Sequence, residues 1–184
     1  PAPISTLSVG VNSIDAGQNT TCAVRDGALL CWGANTTGLI GDNTKVNRAA
    51  PVPVNGASAK VTSVAIGTGH TCAIIDSKAF CWGANAQSQL GNNSTMELLT
   101  VPAKAIELPG VPSQSVSGDQ HSCAVVENGA YCWGNNATGA LGAIGLPSSK
   151  IPAFVLNLNR GVVELYAGAL SSHTCAVVYS ATGF

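Results

Sequence analysis

The chain has 184 residues, a formal net charge of -1, 46% hydrophobic residues and only 9% charged residues. That balance excludes a disordered chain, which needs few hydrophobes and many charges, and a generic nucleic-acid binder, which needs a basic surplus to neutralise phosphates. Apolar runs fall far short of the ~20 residues that span a bilayer, so no membrane span is expected. No hydrophobic block with a basic flank opens the chain, and the first residue is Pro1, so we read a mature or partial segment of a longer protein. With so little charge, solubility falls to Asn, Ser, Thr and Gly, with or without attached sugar.

The first element in chain order is a segment of the form Cys-x8-Cys, from Cys22 to Cys31, which encloses AVRDGALL and runs into Trp32-Gly33. It recurs from Cys72 to Cys81, enclosing AIIDSKAF before Trp82-Gly83, and from Cys123 to Cys132, enclosing AVVENGAY before Trp133-Gly134. A fourth unit opens at Cys175 with AVVYSATGF. The first cysteines are 50, 51 and 52 residues apart. A glycine precedes each unit (Gly17, Gly67, Gly118, Gly168), and His70, His121 and His173 stand two residues before the first cysteine in three of them; Asn19 comes close to that place in the first. The units divide the chain into repeats at approximately 14–63, 64–114, 115–164 and 165–184, the last cut short. The odd cysteine follows from the period, since the partner of Cys175 is expected at or just after residue 184.

Apolar residues on either side of a central turn signal make each segment a β-hairpin. With Asp26-Gly27 as a two-residue turn, Cys22 and Cys31 fall on a non-hydrogen-bonded pair, where Cα atoms lie ~4.5 Å apart, within disulfide range. Asp76-Ser77 gives the same register to Cys72 and Cys81. In the third unit, Asn128-Gly129 is the expected turn, and it would shift the register. Val52-Pro53-Val54, residues 61–66 and residues 154–158 read as further short strands. Prolines 51, 53, 102, 109, 112, 147 and 152 fall between units, where loops and edge strands tolerate them. No amphipathic helix is visible. Several short strands per period of about 50 residues predict an all-β fold of propeller blades.

Residues 67–91, GTGHTCAIIDSKAFCWGANAQSQLG, resemble a repeat of the regulator-of-chromosome-condensation type, as do residues 118–142 and 17–41. The shared pattern is a Gly, a His-Thr pair, a short hairpin, Trp-Gly, an Asn and then Gly-x-Leu-Gly. The resemblance implies a β-propeller of seven four-stranded blades, of which this chain would supply about three and a half; seven such repeats would need roughly 350 residues. The rest of the ring would come from further sequence or from another chain. Paired cysteines in every complete unit set the chain apart from the family's nuclear member. Relatives include a nuclear nucleotide-exchange factor, a secreted bacterial β-lactamase inhibitor and plant receptor ectodomains, so the resemblance implies a scaffold rather than an activity.

The cysteine pairs read as intra-blade disulfides made in an oxidising compartment, hence an extracellular or cell-surface protein; the alternative is buried free thiols in a cytosolic propeller. Zinc is a poor reading, because no Cys-x2-Cys knuckle exists and each unit would offer its ligands in a different blade. The histidines are expected to hydrogen-bond neighbouring backbone. Trp32, Trp82 and Trp133 are expected in core or inter-blade packing with a partner for the indole N–H. Asn19, Asn35, Asn92, Asn93 and Asn136 head N-glycosylation sequons. Asn35 and Asn136 hold equivalent repeat positions, where an Asn would otherwise tie down a loop and be unavailable for sugar. No phosphate loop, Gly-x-Ser-x-Gly, His-Glu-x-x-His or carboxylate dyad appears, so neither an enzyme nor a cofactor or metal is expected.

These features lead to a non-catalytic extracellular glycoprotein, a structural or protein-interaction subunit of a larger surface or filamentous assembly. Its partners would be other protein subunits, copies of itself or the rest of the propeller. The alternative is a secreted binding module, either inhibitor or receptor ectodomain. A guanine-nucleotide exchange factor ranks below both because of the paired cysteines.

Overall fold

A computed structural model describes residues 4, 7–106 and 108–179. Each Cys-x8-Cys segment forms the central hairpin of an antiparallel meander. The first sheet contains β1 (Val11–Gly17), β2 (Thr20–Arg25), β3 (Ala28–Gly33) and β4 (Arg48–Pro53). The second contains β5 (Val61–Ile66), β6 (His70–Ile75), β7 (Lys78–Ala84) and β8 (Leu98–Lys104). The third contains β9 (Pro112–Ser117), β10 (His121–Val126), β11 (Gly129–Asn135) and β12 (Ser148–Phe154). A fourth pairs β13 (Val162–Tyr166) with β14 (Cys175–Val178). The leading strands β1, β5, β9 and β13 lie side by side, each touching the next. The result is an all-β stack of three complete propeller blades and the inner half of a fourth.

The sheets, not the sequence repeats, are the structural units. Repeat boundaries at 63/64, 114/115 and 164/165 pass through β5, β9 and β13. The strand expected over 61–66 is β5. Val52-Pro53-Val54 falls at the end of β4, with Val54 just beyond it. The strand expected over 154–158 is corrected: β12 ends at Phe154, and the chain then turns, with Leu158 N donating to Val155 O at 3.2 Å. Prolines 51, 53, 102 and 152 lie on the last strand of their sheets and Pro112 opens β9. A missing N–H is tolerated at such places.

Asp26-Gly27 and Asp76-Ser77 turn as expected, with positive φ at both residues (50° and 78°; 47° and 61°), the geometry of a primed hairpin turn. The third turn is corrected. It uses Glu127-Asn128 (φ 48° and 63°), so that Val126 faces Gly129 and Cys123 faces Cys132 in the same register as the other units. Gly129 opens β11 instead, at the position held by Ala28 and Lys78 in the other blades. Disulfides join Cys22–Cys31, Cys72–Cys81 and Cys123–Cys132, with Cα separations of 4.1, 4.1 and 4.0 Å. All six sulfurs lie in the core, beside Val24 and Leu29 in the first blade and Val125 and Ala130 in the third.

A cross-strand staple acts mainly by restricting the unfolded chain. Replacing Cys72 and Cys81 together by Ala is expected to lower the unfolding free energy by about 2–3 kcal/mol. Urea titration of the oxidised variant against the parent measures this, and an unchanged midpoint would contradict it.

Candidate functional site

Trp82 and Trp133 are fully buried. Trp82 reaches into the first blade, where its Nε1–H donates to Leu39 O at 2.8 Å; Trp133 does the same to Gln89 O of the second blade at 2.9 Å. The same carbonyls accept a hydroxyl from the residue opposite each Trp, Thr71 to Leu39 O at 2.9 Å and Ser122 to Gln89 O at 2.8 Å. Each indole lies on a glycine: a Cβ on Gly41 would sit 2.7 Å from Trp82 Nε1, and one on Gly91 2.7 Å from Trp133 Cδ1. Each also belongs to the buried cluster that contains the preceding blade's disulfide, Trp82 with Cys22 and Cys31 and Trp133 with Cys72 and Cys81. Trp32 differs. It is only half-buried, because the described residues place no blade in front of β1.

The expected backbone partner of the histidines is corrected to a hydroxyl of the next blade. His70 Nε2 lies 2.8 Å from Ser122 Oγ, and His121 Nε2 lies 2.8 Å from Thr174 Oγ1. Since Ser122 spends its single proton on Gln89 O, it accepts from His70, which fixes the Nε2–H tautomer of a neutral ring. His70 Nδ1 is buried without a partner, pressed on Gly67, where a Cβ would lie 2.8 Å from it. Burial, followed by the neighbouring His121, pushes His70 down to about 3. Burial likewise lowers His121. His173 is corrected: it is exposed and contacts Ser171 Oγ at 3.0 Å through Nδ1. His70 and His121 take their partners from the following blade, and among the described residues no blade follows the fourth to receive His173.

The sequon asparagines divide into two kinds. Asn35 is fully buried. Its Nδ2 donates to Thr44 O and Val46 O at 3.0 and 3.2 Å, and its Oδ1 accepts Ile40 N–H at 2.9 Å. Asn136 repeats this with Ala143 O, Leu146 O and Leu141 N–H, as does Asn85 with Met96 O and Leu90 N–H. A sugar on Nδ2 would break these bonds, so Asn35 and Asn136 are corrected from glycan acceptors to loop anchors. Asn19 and Asn93 are exposed at turns, and Asn92 is half-buried with its Oδ1 accepting Ser94 N–H.

The model described as "Regulator of chromosome condensation (RCC1) repeat" matches residues 26–74 and 76–125, and a second model of that repeat matches 115–140. The chain belongs to the RCC1 repeat family. The RCC1 units at 26–74 and 76–125 each start in the turn of one hairpin and end in the next blade, so they straddle a seam. No curated protein matches the chain significantly in sequence. Among solved structures, human WBSCR16 superposes with a TM-score of 0.78 at 22% identity, over 91% of this chain and 45% of that one. Yeast RCC1 (Prp20) bound to Kap60 gives 0.78 at 20% identity, over 91% and 41%. Prp20p from Saccharomyces cerevisiae gives 0.73 at 22%, over 94% and 45%. These likenesses show the fold, and the chain spans less than half the length of each of those structures.

Several apolar side chains of the RCC1 stack are uncovered. Ile14 is 63% exposed on the first blade, and Leu170 and Tyr179 are 77% and 80% exposed on the fourth. The loop carrying Leu170 folds towards the axis, with Thr68 Oγ1 donating to Ala169 O at 2.6 Å and Asp119 N to Ser171 O at 2.9 Å. Among the described residues no cluster of three His, Cys, Asp or Glu is placed to hold a metal, and no helix is long and apolar enough to cross a membrane.

Two outcomes follow from the seam and the anchors. A group held below its unfolded pKa stabilises the fold above the unfolded value and loses that contribution as pH falls. Stability should therefore decline from pH ~6.5 downward through the His70 and His121 terms, and the slope between pH 6.5 and 5, above the carboxylate range, should flatten in His70→Asn. Guanidinium melts across pH report it. Asn35→Ala strands the buried Ile40 N–H and should cost about 2–3 kcal/mol; an unchanged melting curve would refute the anchor assignment.

Proposed function

We propose that the chain is a non-catalytic extracellular glycoprotein that serves as a structural or protein-interaction subunit of a larger surface or filamentous assembly. The observation that carries this is the disulfide in each of the three complete blades. Such staples form and persist in oxidising compartments. Uncovered apolar residues such as Ile14, Leu170 and Tyr179 favour burial against neighbouring protein. Protein contact is in keeping with yeast Prp20, whose crystal structures concern its complex with Kap60 and its binding to Gsp1p and histones. Sugar on this reading belongs at Asn19 and at one of Asn92 and Asn93. A secreted binding module is the second reading, favoured by the enlarged fourth loop with Leu170 at its surface.

Light scattering after size exclusion of native, non-reduced protein separates the two. The assembly reading expects a very large or open-ended species, whereas a discrete particle of one or two propellers supports the binding module. Protein secreted from eukaryotic cells should lose mass on glycosidase treatment, with no sugar at Asn35 or Asn136 by peptide mass spectrometry. An unglycosylated, reductant-indifferent protein would overturn the extracellular glycoprotein.

A further inference from the structure

The β3–β4 and β7–β8 loops each carry an asparagine at positive φ in the same place, Asn43 (65°) and Asn93 (54°). Both fasten their loop to the outer strand of the next blade: Asn43 N donates to Thr100 O and Asn93 N to Lys150 O, each at 3.0 Å. The side chains differ. Asn43 Oδ1 accepts the Thr100 hydroxyl at 3.2 Å. Lys150 takes the place of Thr100 and has no hydroxyl. Among the described residues no hydrogen bond holds the Asn93 side chain, which is exposed.

Asn92, its neighbour, is used by the loop itself. It takes the place of Asp42, whose Oδ1 accepts Thr44 N–H at 3.1 Å; Asn92 Oδ1 accepts Ser94 N–H at 3.1 Å. The hydroxyls that follow are matched too. Thr44 Oγ1 accepts Val46 N–H at 3.2 Å, and Ser94 Oγ accepts Met96 N–H at 3.0 Å. Asn92 and Ser94, the two ends of the first overlapping sequon, therefore shape the loop and are half-buried. Asn93 and Thr95, the ends of the second, are both exposed.

We infer that Asn93 is the occupied member of the overlapping pair, an N-linked oligosaccharide site at the rim of the seam between the second and third blades. The inference rests on the glycoprotein reading above and narrows it to one residue and one place on the fold. Asn93 Nδ2 loses one hydrogen and bonds to C1 of the reducing-end N-acetylglucosamine of a lipid-linked diphospho-oligosaccharide. The C1–O bond to phosphate breaks, and the lipid diphosphate leaves with the proton. The sugar is bulky and belongs at the surface, and it takes a side-chain amide that the loop does not use. Because Asn93 N–H is bonded to Lys150 O, the attachment point is held against β12, and the first sugar stands beside Lys150. The first blade has no such site at the equivalent place, since Asn43-Thr44-Lys45 lacks a hydroxyl residue two positions on.

The test uses the full chain secreted from eukaryotic cells, digested and mapped by electron-transfer mass spectrometry. The expected result is sugar on Asn93 and none on Asn92. Asn93→Gln and Thr95→Ala should each lose it completely, whereas Asn92→Gln and Ser94→Ala should keep it at parental occupancy. In the folded protein, Lys150 should react with an acetylating ester roughly threefold more slowly in the glycosylated parent than in Asn93→Gln, because of the bulk of the attached sugar. Exposed Lys45 should react equally in both. Sugar on Asn92 would overturn the inference, as would bare residues 92–95 or equal Lys150 rates. If residues 92–95 are bare while Asn19 carries sugar, the glycoprotein reading stands and only the Asn93 assignment falls. A secreted chain with no sugar at all removes both.

Discussion

One main-chain carbonyl per seam organises this structure. Leu39 O in the first blade and Gln89 O in the second each accept an indole N–H and a hydroxyl from the blade that follows. A carbonyl has two acceptor sites, so a single peptide unit satisfies both buried donors and fixes the next blade in register. The glycine two residues beyond it exists because the ring lies where a side chain would begin.

The neighbouring polar groups depend on that arrangement. The Ser122 hydroxyl serves Gln89 O, and this leaves its lone pairs to His70, whose ring must stay neutral because its other nitrogen has no partner. The network thus runs from His70 in the second blade through Ser122 in the third and back to Gln89 in the second. Such a fully directed chain specifies one alignment of two sheets, whereas apolar packing alone would tolerate sliding. The first seam has no histidine, since Thr20 occupies that place and turns to Ala34 O of its own blade at 2.6 Å. There Asp15 takes over the inter-blade bond, its carboxylate accepting Ile66 N–H at 2.7 Å.

Much of the fold was legible because the repeat displays it several times. The cysteine spacing and a two-residue turn sufficed to put Cys22 opposite Cys31, and the period pointed to blades. The third turn departs from its local signal: Asn128-Gly129 is the better hairpin dipeptide, but the register that pairs Cys123 with Cys132 puts the turn at Glu127-Asn128. Of the seam, the Trp and the hydroxyl residue before each first cysteine were visible at fixed positions. Their shared acceptor was not, because a main-chain carbonyl can be carried by any residue, here Leu39 or Gln89. The exposed setting of His173 had no signal of its own, because the partner of a His at this position is carried by the next blade. The sequons at Asn35 and Asn136 show the limit of motif reading: the same three residues describe a sugar acceptor and a loop anchor, and only burial separates them.

Burial along the stack shows how its stability is distributed. Every residue of β6 and β10 is buried, whereas β2, the same strand in the first blade, has half-buried residues at both Thr21 and Arg25, and β14 has no buried residue. The sequences of these strands are similar, so the difference comes from neighbours and not from composition. In a quasi-one-dimensional stack each blade draws stability from the seams on either side. A blade with one seam is weaker than an identical blade with two. Trp32 illustrates this directly: it has the residue type, the strand and the hairpin of Trp82, yet it is half-exposed, since among the described residues no neighbouring blade offers it a carbonyl and a glycine. The socket and the side chain that fits it are always carried by different blades. A blade of this kind is therefore complete only in company.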